Sequence, residues 1–186
     1  ADMQPIFSFK VRGAYNKISN LNQQQKNKGV ITASAGNHAQ GVANACKKLK
    51  VPCFIVMPVT APEIKVKSVK RFGSKVLLHG DNFDQASKKA RQMAKEQKLE
   101  FIEAFDDPLT IAGQGTVGKE ILDEHNDLDV IFVPVGGGGL LAGISAWVAQ
   151  TQTKTKIYGV EVEDSACLVE AIKADKRVRL REVGLF

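Results

Sequence analysis

Long apolar runs are what this sequence lacks first. Nowhere do about eighteen apolar residues follow one another, as a membrane-spanning helix requires, and no basic-then-apolar leader opens the chain. A soluble, non-secreted protein with no membrane partner is expected. Cysteine is scarce: Cys46, Cys53 and Cys167 make an odd set with no C-x-x-C pair. That pattern suggests neither a disulfide framework nor a zinc knuckle, and fits a reducing cytoplasm. His38, His79 and His125 are too scattered to propose a metal site from spacing. Aromatic residues make up only 6% of the chain and do not interleave with the basic ones. The formal charge of +6, from 26 basic against 20 acidic residues, is therefore assigned to solvated helix faces such as "VKSVKRFGSK" and "SKKARQMAKEQK". No nucleic-acid partner is expected, because no nucleic-acid motif accompanies the charge.

What the chain does have is alternation. Its 186 residues, 44% hydrophobic and 25% charged, suffice to bury a core. From about Gly29 onward, "VITAS", "PCFIVMP", "KVLLHG", "LEFIEAF", "DVIFVPV" and "KIYGVEVE" read as short strands. Between them, "GNHAQGVANACKKLK", "APEIKVKSVKRFG", "DNFDQASKKARQMAKEQK", "LLAGISAWVAQ" and a segment from Ser165 read as helices. "LTIAGQGTVGKEILDEH" opens glycine-rich and then settles into a helix, while Phe83, Ala86, Ala90, Met93 and Ala94 form one apolar stripe. Such βαβα order predicts an α/β fold of parallel sheets covered by helices. Sites in these folds lie beyond the C-terminal ends of strands, where the unusual glycine and polar clusters of this chain fall.

Three clusters carry chemistry. In "PVGGGGLLAG", residues 134–143, four glycines join a strand to a helix. A helix N-terminus offers N–H groups without intrahelical partners, and glycine lets an anion approach without meeting a Cβ. A helix packed tightly on its strand needs glycine too, so phosphate binding and packing stand equally open on this segment. Neither G-x-x-x-x-G-K-[ST] nor G-x-G-x-x-G is present, which leaves a small phosphorylated ligand. In "TASAGNHAQG", residues 32–41, Ser34 can cap a helix, Gly36 permits close approach and Asn37 offers an amide. By itself this segment reads most simply as helix capping. In "SFKVRGAYNKI", Lys10 stands between Phe9 and Val11. Most lysines are solvated, but one held among apolar neighbours favours its neutral amine, as a Schiff-base nucleophile requires.

An imine-forming lysine, an anion cradle and an amide-bearing loop together suggest pyridoxal phosphate (PLP) chemistry. The segments "QPIFSFKVRGAY", "GVITASAGNHAQGVA", "VMPVTAPEIKVKSV", "DDPLTIAGQGT", "VPVGGGGLLAG" and "VEDSACL" cover essentially the whole chain. In this order the sequence resembles the fold-type II pyridoxal-phosphate enzymes, and among them the biosynthetic threonine deaminases, also called threonine ammonia-lyases or threonine dehydratases. The resemblance implies a tryptophan synthase β-like fold of two parallel-sheet αβα domains. Residues 32–105 would form the smaller domain with the substrate-carboxylate loop, and residues 1–31 and 106–186 parts of the larger, PLP-binding one. It also implies PLP as cofactor and L-threonine and L-serine as substrates. These are dehydrated and deaminated to 2-oxobutanoate and pyruvate with release of ammonia, the committed step toward isoleucine. By the same resemblance, Lys10 holds the cofactor as an imine and later accepts the Cα proton. Gly136, Gly137, Gly138, Gly139 and the N–H of Leu140 hold the phosphate, and Asn37 lies beside the cofactor's 3′ oxygen. Ser34, Ala35, Gly36, Asn37 and His38 receive the substrate carboxylate, with Gln114 lining the substrate side.

Members of this family carry a further strand and helix layer before the lysine motif, and a later small polar residue that meets the pyridine nitrogen. The expectation is a piece of a longer polypeptide, inactive by itself. The full-length form is expected to be a homo-oligomer, tetramer or dimer, and the biosynthetic enzymes add an isoleucine-binding allosteric module. Catabolic threonine/serine dehydratases and serine racemases of the same fold use nearly the same motifs. In the racemases, a serine hydroxyl two residues before the motif asparagine is the second acid/base; here that position is Ala35, which implies elimination. An alternative of another class is a noncatalytic phosphate-binding module in which Lys10 is an ordinary surface residue.

Overall fold

The computed structural model describes residues 3–151, 154–178 and 180, and they divide into two compact units, one ending at Ala104 and the other beginning at Phe105. The first unit is built on a parallel sheet of β1 (Val30–Ala33), β2 (Cys53–Met57), β3 (Lys75–Leu78) and β4 (Glu100–Phe101), in the order β3-β2-β1-β4. Successive side chains of a strand face opposite sides, and both sides are covered here. Val30, Ile55 and Met57 pack with α1 (Lys10–Ser19), α3 (Asn37–Leu49) and α4 (Glu63–Lys70) through Ala14, Ile18, Val42 and Val69. On the other face, Ile31, Ala33 and Val56 pack with Ala86 and Ala90 of α5 (Phe83–Gln97). Each fully buried valine or isoleucine contributes on the order of 2 kcal/mol. The last strand is shorter than its apolar run: only Glu100 and Phe101 pair with β1, although Ile102 N–H still donates to Ile31 O at 2.9 Å.

Two helices precede Gly29, in a stretch to which the pattern assigned no element. α2 (Gln23–Lys28) buries no residue, so it has no apolar period to read. A reciprocal cap holds it: the Asn22 side chain accepts from Gln25 N–H at 2.9 Å, and the Gln25 side chain accepts from Asn22 N–H at 3.0 Å. α1 packs on α3, so this segment, which the resemblance allots to a larger domain, lies within the first unit of this chain.

The second unit pairs β5 (Val130–Pro134) with β6 (Lys156–Val160) in parallel, and adds α6 (Pro108–Glu124), α7 (Gly139–Gln150), a 3-10 turn at Glu163–Ser165 and α8 (Cys167–Ala174). Its core is Leu122, Ile131, Val133, Ile144 and Val148. α6 begins directly at Pro108, because the Asp107 carboxylate accepts from the N–H groups of Leu109 and Thr110 at 2.9 Å each. The glycines of "AGQGTVG" therefore lie inside a helix rather than ahead of one. Their reason is proximity: a Cβ on Gly115 would lie 2.8 Å from Gly143 O, and one on Gly143 2.5 Å from Ile111 O. Glycine weakens a helix by about 0.5–1 kcal/mol per residue, which the close approach of α6 and α7 offsets. Gly143→Val is expected to lower stability by roughly 3 kcal/mol or more, read as a fall in the denaturant midpoint. A wild-type midpoint would show that the two helices do not cross this closely.

Candidate functional site

Lys10 opens α1, and its backbone N–H donates to Ser8 Oγ at 3.3 Å. Its amine donates to Ala104 O at 2.8 Å and lies 5.4 Å from the Phe9 ring centroid. Burial lowers the amine's pKa below the ordinary lysine value, which favours the neutral form. α3 lies directly on this residue's backbone, since a Cβ on Gly41 would stand 3.0 Å from Lys10 O. A glycine inside a helical run is the sequence signal for such an approach. Nothing in the sequence marks Ala104, whose contribution is a backbone carbonyl.

The loop between β1 and α3 closes on itself. Ser34 N–H donates to Val56 O at 3.2 Å, and Ser34 Oγ accepts from Gly36 N–H at 3.1 Å. Neither Ser34 nor Asn37 caps α3: the cap position is Gly36, and Asn37 is the exposed first residue of the helix. Ala35 is partly buried against the core. The first bond of the helix runs from Gln40 N–H to Gly36 O, so the N–H groups of Asn37, His38 and Ala39 precede the intrahelical ladder.

His38 turns away from the loop, being only 4% exposed, with Nε2 3.1 Å from Ile102 O and 3.2 Å from Thr32 Oγ1. A carbonyl oxygen only accepts, so Nε2 carries the proton; Thr32 Oγ1 also donates to Ile102 O, at 2.8 Å. Nδ1 has no hydrogen-bond partner. Burial, opposed by the Ile102 carbonyl and reinforced by the charge of Lys10, brings the imidazole pKa down to about 4. The ring is thus a neutral support beneath the loop, and what His38 can offer a ligand is its first-turn N–H.

The glycine run ends β5 and starts α7. Ala142 N–H donates to Gly138 O at 2.9 Å, which leaves the N–H groups of Gly139, Leu140 and Leu141 ahead of the ladder. Gly138 has φ +84°, a left-handed backbone that glycine adopts without a Cβ penalty. A Cβ on Gly136 or Gly138 would meet nothing within 4 Å, whereas one on Gly137 would stand 2.2 Å from Phe105 Cδ1 and one on Gly139 2.9 Å from Phe105 O. Cradle and packing, the two readings open from sequence, therefore alternate along the run. The first-turn amides with their partial positive charge, beside that open space, suit a phosphate-sized anion. Phe105 carries no sequence signal for this role. Gln114 sits on α6, 1% exposed within the second unit. Among the described residues, no group of three or more His, Cys, Asp or Glu side chains could hold a metal, and no helix is long and apolar enough to cross a membrane.

Residues 1–184 match the family described as "Pyridoxal-phosphate dependent enzyme". The chain is 53% identical over 185 residues to the L-threonine dehydratase biosynthetic IlvA of Pasteurella multocida, covering 100% of this chain and 36% of that protein. It is 53% identical over 187 residues to the mitochondrial threonine dehydratase of Schizosaccharomyces pombe, covering 100% of this chain and 31% of that protein. The chain thus spans about a third of the length of these curated relatives. Among solved structures, the processed form of threonine deaminase isoform 2 from Solanum lycopersicum matches with a TM-score of 0.96 at 47% identity, over 98% of this chain and 53% of that one. Maize serine racemase matches with a TM-score of 0.93 at 32% identity, over 98% of this chain and 56% of that one.

Proposed function

Because this chain belongs to the pyridoxal-phosphate dependent enzyme family, we propose that the complete protein is a PLP-dependent lyase converting L-threonine to 2-oxobutanoate and ammonia, and L-serine to pyruvate and ammonia. The observation that carries the proposal is a half-buried lysine amine held on a backbone carbonyl, in a chain 53% identical to threonine dehydratases over its whole length. The word "biosynthetic" in the Pasteurella multocida relative's name supports a place on the route to isoleucine.

In this reading Lys10 would hold the cofactor through its amine, and burial, which lowers the amine's pKa, favours the neutral, nucleophilic form. Gly136, Gly137, Gly138 and Gly139, with the N–H of Leu140, take the phosphate, and the Asn37 amide stands beside the 3′ oxygen. Ser34, Ala35, Gly36 and the first-turn N–H groups of Asn37 and His38 receive the substrate carboxylate, and Gln114 lines the substrate side. Bound PLP withdraws electrons from Cα, which makes the α-proton removable. The protein's part is to orient that C–H bond and to supply the Lys10 amine as the base. The β-hydroxyl departs as water, and hydrolysis returns one water as ammonia leaves. For the full-length protein the proposal includes the two-domain plan, a homo-oligomer, isoleucine-responsive control and a cytoplasmic location. Imaging a tagged full-length protein checks the last; the mitochondrial relative names the competing outcome.

The test is the complete protein, purified with PLP: a visible absorption band and 2-oxobutanoate from L-threonine are expected. A colourless protein that binds a nucleotide instead would sink the enzyme reading in favour of a noncatalytic phosphate module.

The likeness to maize serine racemase favours one second reading, racemisation, and Ala35 opposes it. A methyl group cannot move a proton, so elimination should dominate in the unmodified protein. Ala35→Ser is expected to raise racemisation by roughly 10²-fold over background, because a positioned acid/base contributes about that much. Chiral chromatography of residual substrate measures it; abundant D-amino acid from the unmodified protein would refute the assignment.

A further inference from the structure

Cys167 has no part in the reading above, yet its thiol touches the glycine run: Sγ lies 3.4 Å from Gly136 O and 3.6 Å from Glu161 Oε1. Glu161 follows β6, and its carboxylate spans the start of α8. Oε1 accepts from Leu168 N–H at 2.9 Å, and Oε2 from Val169 N–H at 3.0 Å. The residue at the cap position, Ala166, offers no side-chain cap, so Glu161 supplies one from outside the helix, with a charge that suits the helix's positive end. The first residue of α8 is thereby seated against the glycine turn. Desolvation, and then the adjoining Glu161 carboxylate, push the Cys167 thiol's pKa up. An S–H donor rather than a thiolate therefore faces the two oxygens.

The consequence runs through one peptide plane. In a trans peptide the C=O and the following N–H point in opposite directions, and no peptide among the described residues is cis. A Gly136 carbonyl held toward Cys167 therefore aims the Gly137 N–H to the opposite side of the turn. Glycine rotates its peptide planes at little cost, so without a tether this N–H has no fixed direction. We propose that Cys167 and Glu161 are positioning residues: the carboxylate seats α8, the thiol holds the Gly136 carbonyl, and the Gly137 N–H is thereby aimed as a donor to the cofactor phosphate. This deepens the PLP reading and rests on it.

The test uses the full-length protein and the variants Cys167→Ala and Cys167→Ser. Cys167→Ala is expected to weaken PLP binding by roughly three- to tenfold, the worth of one hydrogen bond, with an unchanged circular dichroism spectrum. The 31P resonance of the bound phosphate should shift as its donor turns away. Cys167→Ser keeps a donor, and should return both affinity and resonance toward the unmodified values. Wild-type affinity and an unshifted resonance in Cys167→Ala would overturn the tether and leave the proposed function standing. A serine variant as weak as the alanine one would overturn the hydrogen-bond role. Failure of the unmodified protein to take up PLP would overturn both readings.

Discussion

Alanine in place of Lys10 is expected to leave the complete protein folded but without its visible absorption band, and to lower the proposed formation of 2-oxobutanoate from L-threonine by roughly 10³-fold or more. In the proposed function two roles would be lost together, the covalent hold on the cofactor and the base at Cα. Folding is expected to survive, for reasons visible around the residue. Lys10 is the first residue of α1, where alanine is the better helix former, and only one side-chain hydrogen bond, to Ala104 O, disappears. The stability cost is then about 1–2 kcal/mol. Absorption spectra after addition of PLP, with a thermal midpoint on the same sample, separate chemistry from folding. A variant that keeps both the band and the turnover would remove Lys10 from the site.

Valine substitutions along the glycine run should separate cofactor affinity from stability position by position. At Gly136 a Cβ enters open space and the backbone is not left-handed, so stability is expected to hold while PLP affinity falls by roughly 10²-fold. That figure corresponds to losing one or two hydrogen bonds to a charged phosphate. At Gly137 the new Cβ would stand 2.2 Å from the Phe105 ring, so stability should fall as well, by about 1–3 kcal/mol. At Gly138 the space is open but φ is +84°, and the left-handed backbone costs a side chain roughly 1–2 kcal/mol. Titrating PLP into each folded variant and measuring its denaturant midpoint gives both quantities. Unchanged affinity in Gly136→Val would mean that the phosphate is held elsewhere; equal stability of Gly136→Val and Gly137→Val would mean that Phe105 yields without cost.

The legible parts of the fold are those in which a residue's own element decides its surroundings. Ile31, Val56 and Ile55 sit in apolar runs because their strands are covered on both faces, and they are buried on both. The stripe on α5 holds at four of its five positions for the same reason, with Met93 and Ala94 packed partly buried against the same cluster. Ala86 and Ala90 are fully buried, but Phe83, the first residue of the helix, is 57% exposed. α2 escaped notice because its stability lies in a cap and not in an apolar face. In the candidate site, the lysine, the asparagine loop and the four glycines could be picked out because their residue types are rare in that pattern. Which way each one faces could not.

Sequence alone determined that this chain alternates strands and helices into parallel sheets, that its unusual clusters fall at strand ends, and which family's motifs they resemble. Apolar periodicity and residue chemistry are local properties, written within a few positions of one another. Tertiary structure decided that Gly137 and Gly139 serve Phe105 while Gly136 and Gly138 keep space open, and that the His38 ring supports the loop from inside. It also decided that the Lys10 amine rests on a carbonyl 94 residues away. Those facts depend on where distant stretches of backbone pass one another. Backbone carbonyls and amides are the same for every residue type, so no pattern of side chains records which of them meet; a glycine inside a helix signals a close approach without naming what approaches.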